Sequence, residues 1–328
     1  MFSLFSRVAA LLALCVVVLG AYVRIHDAGL GCPDWPGCYG QLVGVPEASH
    51  EVAAAESAFP GARIEAGKAW KEMAHRYLAG VLGLLILGLT FAAWLQRLPA
   101  RQLLLATCAV VAAQATLGML TVTELLRPGI VTLHLIGGMT TLALLTASAS
   151  LGERDDTHLG LLRRPEVRPF ILLALVVLAV QIMLGGWVST NYAGLACTDL
   201  PTCGGVWWPT MDAEGFDPTR ALHMDSAGQP IGGAALVAIH WAHRLGAVAA
   251  ALAVLLLVVR LFAAGLRGWG RWLLVLVVAQ VSLGVANVLL HLPVVLAAAH
   301  NAGAAMLLVT LVWMLVGGRQ PRERTVFI

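Results

Sequence analysis

The sequence predicts an all-α integral membrane protein whose eight transmembrane helices form two parallel-repeat four-helix bundles. Of its 328 residues, 59% are hydrophobic and only 12% are charged, whereas a soluble domain carries about 25% charged residues. The mean hydropathy is +0.83. Eight apolar stretches are long enough to cross a hydrocarbon layer of ~30 Å, and the chain repeats its own pattern after about 166 positions.

The apolar stretches are each expected to form one helix, because lipid offers no hydrogen-bond partners to an unpaired backbone. They lie near residues 8–23, 73–95, 102–122, 129–150, 169–190, 236–262, 272–290 and 296–316. The first stretch follows Arg7 and resembles a cleavable signal peptide. Since it corresponds to the fifth stretch in the internal repeat, we expect it to remain as a helix.

The internal repeat is clearest in the two long loops. Residues 23–38 align with residues 188–203, and eight of the sixteen positions are identical, where roughly one is expected from average composition. The register continues in Ala74-His75-Arg76 with Ala242-His243-Arg244, Gln114-x-x-Leu117-Gly118 with Gln280-x-x-Leu283-Gly284, and His134-x-x-Gly137 with His300-x-x-Gly303. Four spans per half give both halves one orientation, as in parallel repeats.

The repeat predicts two structural halves, residues 1–150 and 169–328, joined by a linker at 151–168. Basic residues of short loops mark the cytoplasmic side. They follow the second, fourth and sixth spans and the last one: Arg97, Arg101, Arg154, Arg163, Arg164, Arg168, Arg267, Arg271, Arg319, Arg322 and Arg324. The short loops opposite carry only Arg127. Both termini are therefore predicted to be cytoplasmic, with loops 24–72 and 191–235 facing outward.

Four histidines are predicted to lie at membrane depth, within the first turns of the even-numbered spans: His75, His134, His243 and His300. A buried imidazole is costly in a membrane and indicates function. A single one could instead hold helices together, but two matched pairs favour a shared chemical role. Two facing imidazoles suit the axial positions of a heme iron, whereas zinc requires four ligands. His26, His50, His158 and His223 are expected to be solvated loop residues.

The two halves differ at the position three residues before the first histidine of each pair. Glu72 precedes His75, whereas His240 precedes His243. A spacing of three places both side chains on one helix face, where a carboxylate can transfer protons. The half with Glu72 is therefore predicted to be the reactive one, and the other half is predicted to hold an electron-carrying heme.

Two arginines directly follow the first histidines of the pairs, namely Arg76 and Arg244. A guanidinium at the membrane surface can pair with a heme propionate. It can equally serve as a basic interfacial anchor, and the two roles are compatible.

The outer loops each carry two cysteines, Cys32 with Cys38 and Cys197 with Cys203. An outward-facing compartment permits disulfides, so each pair is expected to close within its own loop. Such a bridge can staple the loop, or it can pass electrons to an acceptor; the sequence leaves both open. Cys15 and Cys108 are expected to be packing residues.

Taken together, these residues resemble the heme A synthase family, in its cysteine-bearing bacterial branch. The resemblance rests on the eight spans, the Glu-x-x-His-Arg at 72–76, the His-Arg at 243–244, the two later histidines and the outer cysteines. It implies oxidation of the C8 methyl of heme o to a formyl, giving heme A. It further implies that heme o binds between His75 and His134 and a heme b cofactor between His243 and His300.

The resemblance also implies a bacterial inner membrane location, a heme o synthase upstream and a membrane electron acceptor. A homo-oligomer is compatible with the sequence, and the net charge of +3 gives no reason to expect nucleic acid. Two other functions fit the same histidines. A b-type cytochrome would only relay electrons, and a heme carrier would deliver unchanged cofactor.

Overall fold

The computed structural model describes residues 2–151 and 164–316. Within these ranges the chain forms nine α-helices: α1 (Phe2–Ile25), α2 (Ser49–Ala58), α3 (Ala66–Leu95), α4 (Arg101–Thr123), α5 (Pro128–Leu151), α6 (Arg168–Thr190), α7 (Gly233–Ala263), α8 (Arg267–Leu289) and α9 (Val294–Val316). All except α2 are long and apolar enough to cross a membrane. The eight predicted spans are confirmed.

Several helices extend beyond the apolar stretch that predicts them. Helix α3 begins at Ala66 and α7 at Gly233, before the starts predicted at 73 and 236. The first turns of α3 contain Lys68 and Lys71, whose long side chains reach polar surroundings while their backbone stays helical. Hydropathy therefore locates the membrane-embedded part of each helix but not its true end. The short helix α2, in the long loop between α1 and α3, is not predicted by hydropathy at all.

Helices α1, α3, α4 and α5 pack in a closed order, each against its neighbours, and α6, α7, α8 and α9 repeat that order. The two sets meet through α1 and α5 against α9, and through α5 against α6. Their shared core is built from fully buried aliphatic side chains: Leu104, Leu142, Leu145, Ile171, Leu257, Leu273 and Leu311. This packing is compatible with two four-helix bundles.

The ends of α1 and α6 meet through positions that are equivalent in the repeat. Arg24 donates to the carbonyl of Ser189 at 3.0 Å, and Tyr192 donates its hydroxyl to Asp27 at 2.7 Å. The members of each pair are 165 residues apart. Contacts between equivalent positions are expected beside a twofold axis, so the interface is compatible with a pseudo-twofold relation between the halves.

Some predictions concern residues outside the described ranges. They are His158, Arg154, Arg163, Arg319, Arg322 and Arg324, together with most of the linker predicted at 151–168. Among the described residues, Arg97 and Arg101 flank the loop between α3 and α4, and Arg267 begins α8. The two long loops lie at the opposite ends of the helices, where α1 and α6 end and α3 and α7 begin.

Candidate functional site

The first long loop, residues 24–72 in the sequence prediction, is closed by a disulfide between Cys32 and Cys38, whose Cα atoms are 4.8 Å apart. Inside this ring, the carboxylate of Asp34 accepts hydrogen bonds from the backbone N–H groups of Tyr39 (2.6 Å) and Gly40 (2.8 Å). Burial, followed by the nearby charge of Glu72, raises the pKa of Tyr39. The loop is thus a compact structure that lies against the start of α3.

The long loop of the second half has the same construction. A disulfide joins Cys197 to Cys203, and Asp199 accepts from the backbone N–H groups of Gly204 (2.8 Å) and Gly205 (3.0 Å). Asp199 also accepts from the hydroxyl of Thr202 at 2.6 Å. These hydrogen bonds, that of Thr202 first, hold the pKa of Asp199 below its usual range. Both cysteine pairs are therefore bridged within their own loops.

Glu72 and His240 attach these loops to their helices in the same way. The backbone N–H of Cys32 donates to Oε2 of Glu72 at 2.9 Å, and that of Cys197 donates to Nδ1 of His240 at 3.3 Å. Both side chains are buried, with 5% and 4% exposed. Glu72 thus has a structural contact that a histidine reproduces in the other half, but only Glu72 supplies a carboxylate.

The two arginines contact loop carbonyls. Arg76 donates to the carbonyl of Asp34 at 2.9 Å, to the other loop carbonyls of Pro36 and Gly37, and to the carboxylate of Glu72. In the second half, Arg244 donates to the carbonyls of Asp199 (2.9 Å), Thr202 (2.8 Å) and Cys197 (2.8 Å). This loop-holding role was not predicted from the sequence.

His75 and His243 lie further from the starts of their helices than the sequence predicts, because α3 and α7 begin early. His75 lies nine residues after the start of α3 and His243 ten after that of α7, which places them ~14–15 Å along their helices. His75 of α3 and His134 of α5 lie on helices that both pack against α1 and α4, and His243 of α7 and His300 of α9 lie on helices that both pack against α6 and α8. Each predicted pair therefore lies within one set of four helices, on helices that face each other across it.

Each histidine ring lies against a glycine of the neighbouring helix. A Cβ built on that glycine would approach Cε1 of the ring at 2.9 Å for Gly20 and His75, 3.4 Å for Gly118 and His134, 3.1 Å for Gly185 and His243, and 3.1 Å for Gly284 and His300. Distances of this size are tighter than ordinary van der Waals contact. The glycines belong to α1, α4, α6 and α8, so each ring fits into the helix next to its own.

The residues present fit a heme rather than a bare metal ion. The Nδ1 atoms of His75, His134 and His300 are buried without a hydrogen-bond partner. Within residues 2–151 and 164–316, no group of three or more His, Cys, Asp or Glu side chains could hold a metal ion. Two imidazoles and no third ligand match the axial ligation of heme iron, and apolar helices suit its macrocycle.

Comparison with known proteins places this arrangement in a family. Residues 3–312 match the family model COX15-CtaA, described as cytochrome oxidase assembly protein. The heme A synthase of Shewanella oneidensis is 43% identical over 314 residues, which cover 93% of each chain. That of Rhizorhabdus wittichii is 30% identical over 339 aligned residues, with 95% and 92% covered. The chain therefore belongs to the COX15-CtaA family of cytochrome oxidase assembly proteins.

Proposed function

We propose that this protein is a heme A synthase, an oxidoreductase that converts the C8 methyl of heme o to a formyl. The observation that carries the proposal is the single carboxylate in a duplicated site. Glu72 and His240 hold equivalent loops by equivalent contacts, yet only Glu72 can accept and release protons as a carboxylate. Family membership and the similarity to proteins named heme A synthase support the same activity.

The substrate heme o is assigned to the half that contains Glu72, with His75 and His134 as its iron ligands. The heme b cofactor is assigned to His243 and His300. When bound there, heme b supplies a one-electron carrier. The propionates are assigned to the outer ends of these helices, beside Arg76 and Arg244. The Nε–H of Arg244 is buried without a partner among the described residues and is the donor left for this contact.

Glu72 is the proposed acceptor of protons lost from the substrate methyl. If the formyl oxygen comes from water, the conversion of methyl to formyl releases four electrons and four protons. Arg76 pairs with Glu72 and so balances the charge of the carboxylate between proton transfers. The closed outer loop covers this end of α3 through Cys32 and Arg76, which limits access of bulk water to the carboxylate.

The proposed location is the bacterial inner membrane, with both termini cytoplasmic and both heme sites near the outer face. The proposed partners are a heme o synthase that supplies the substrate and a membrane electron acceptor. Whether the chain forms a homo-oligomer is left to experiment, and no contact with nucleic acid is proposed.

The proposal is tested by extracting and identifying the hemes of the purified protein, alongside Glu72→Gln. We expect heme A or a hydroxylated intermediate, together with heme b, in the wild type. In Glu72→Gln we expect unchanged heme b and little heme A, because the amide keeps the shape and removes the ionisable group. Heme b alone in the wild type would indicate an electron relay, unchanged heme o a carrier, and full heme A yield in Glu72→Gln would remove the acid from the chemistry.

A further inference from the structure

A short motif recurs next to each of the four histidines. In each helix that faces a histidine, the glycine that contacts the ring directly follows a leucine. The first residue of the motif lies four positions before this glycine. Three copies begin with glutamine, Gln114, Gln181 and Gln280, and the fourth begins with Val16. The glutamine copies face His134, His243 and His300, whereas the valine copy faces His75.

The helices that carry the histidines show a matching difference three residues further on. Gly137, Gly246 and Gly303 follow His134, His243 and His300, but Leu78 follows His75. At each of these glycines a Cβ would overlap the carboxamide of the facing glutamine. We name this arrangement the Gln–Gly contact: a glutamine side chain that occupies the space left by the glycine at the third position after a histidine.

In the second half, the Gln–Gly contact brings the carboxamide to the histidine itself. Gln181 Nε2 lies 2.9 Å from Nδ1 of His243 and 3.1 Å from its carbonyl oxygen. Gln280 Nε2 lies 3.0 Å from the carbonyl oxygen of His300. These hydrogen bonds tie α7 to α6 and α9 to α8. Hydrogen bonds between helices favour one particular helix pairing in a membrane, because apolar side chains pack against lipid as well as against one another.

The facing glutamine can also affect how its histidine binds the heme iron. When one imidazole nitrogen binds iron, the other carries the proton and is held by an outer partner. The nitrogen and oxygen of a carboxamide are interchangeable in position, so a turned Gln181 carboxamide accepts the Nδ1 proton of His243 in place of its hydrogen bond to the carbonyl of His243. His75 faces Val16 instead, whose side chain has no donor or acceptor.

We propose that the missing Gln–Gly contact at Val16 and Leu78 makes His75 the ligand through which heme exchanges, while Gln181 and Gly246 retain the heme of the second half. This inference rests on the proposed function, because it takes the first half as the substrate site. Val16, Leu78, Gln181 and Gly246 are positioning residues: they set how firmly a histidine helix is held to its neighbour.

The test exchanges the two arrangements and measures heme release to excess apomyoglobin, with heme o loaded into the purified protein. The wild type should show a fast phase and a slow phase, and His75→Ala should remove the fast one. Val16→Gln with Leu78→Gly should slow the fast phase by roughly tenfold or more, the usual effect of an outer partner on metal affinity. Gln181→Val with Gly246→Leu should accelerate the slow phase.

Single variants Val16→Gln and Gln181→Val give the same comparison if a double variant does not fold. Leu84→Gln, at a position of α3 that is 72% exposed, controls for a polar residue in a span and should leave both phases unchanged. A His75-dependent fast phase that Val16→Gln and the double variant leave unaltered overturns the inference alone. A fast phase that survives His75→Ala overturns the assignment of the substrate site, and with it the proposed function.

Discussion

The two halves of the molecule attach the same kind of loop to the same kind of helix, but through different side chains. In the first half, a carboxylate receives the N–H of Cys32 and pairs with Arg76. In the second, an imidazole receives the N–H of Cys197, and Arg244 turns to the carbonyl of that cysteine. The loop contact therefore needs only a hydrogen-bond acceptor. Because a neutral acceptor suffices in one half, the carboxylate of the other is free to have a chemical role.

The comparison extends to the surroundings of the histidines. The second half holds His243 and His300 with Gln181 and Gln280, whereas His75 of the first half faces Val16. A cofactor that stays bound requires two firmly held histidine ligands. A substrate that exchanges requires that at least one of its histidine ligands is held less firmly. The carboxylate of Glu72 and the absence of a glutamine beside His75 thus favour the same assignment, with the substrate in the first half and the cofactor in the second.

Removing the histidines should give the largest effects and should separate the halves completely. His243→Ala or His300→Ala is expected to abolish or shift the heme b absorption of the purified protein, because each deletes an iron ligand. His75→Ala or His134→Ala should keep the heme b spectrum and lose heme A formation. Pyridine hemochrome spectra together with extracted heme A measure both. An unchanged spectrum in both second-half variants would contradict the assignment.

Exchanging the acid for its counterpart is the next test. Glu72→His should keep the hydrogen bond from Cys32, as His240 does with Cys197, and lower heme A formation by roughly 10²–10⁴-fold, the usual contribution of general acid–base catalysis. Glu72→Ala removes both the contact and the acid. Thermal unfolding followed by heme b absorbance should rank Glu72→Ala below Glu72→His, whereas both should lack product. Near-normal turnover in Glu72→His would give Glu72 a structural role only.

Several features of this comparison could be predicted from the sequence, and others could not. The spans followed from apolar length, and the histidine pairs, Glu72 and the cysteines followed from the repeat. The contacts of Arg76 and Arg244 with loop carbonyls depend on the fold of a loop with no regular pattern. Gln181 was not predicted for a different reason. Its counterpart in the first half is Val16, so an alignment of the halves does not identify Gln181 as a repeated residue.

The disulfides should differ in function between the halves, with an effect smaller than that of the acid. Closing a loop of this size contributes about 2 kcal/mol, so paired Ser substitutions at either site should lower thermal stability to a similar extent. We expect turnover per folded, heme-loaded protein to fall only without Cys32 and Cys38, which lie beside Glu72. Loss of corrected turnover only without Cys197 and Cys203 would reverse the assignment. Equal, small losses would favour stapling in both loops.

The smallest expected difference concerns the aspartates inside the two disulfide loops. Asp199 accepts a hydroxyl hydrogen bond from Thr202, whereas the equivalent of Thr202 beside Asp34 is Gly37, which has no side chain. The folded state therefore lowers the pKa of Asp199 from its ordinary 3.8. A carboxylate with a lowered pKa stabilises the fold above its ordinary pKa and loses that contribution as the pH falls toward the folded value.

Asp199→Asn should accordingly cost a little stability at pH 7 and less at pH 3, with little change in heme b content, because the substitution leaves in place the backbone carbonyl of Asp199 that accepts from Arg244. Hydrogen exchange of the Gly204 and Gly205 amides, which donate to Asp199, measures the loop directly. Asp34→Asn is the matched control, because its loop has the same turn without the hydroxyl. A cost of Asp199→Asn that is equal at both pH values would show that Asp199 holds its loop by shape and not by charge.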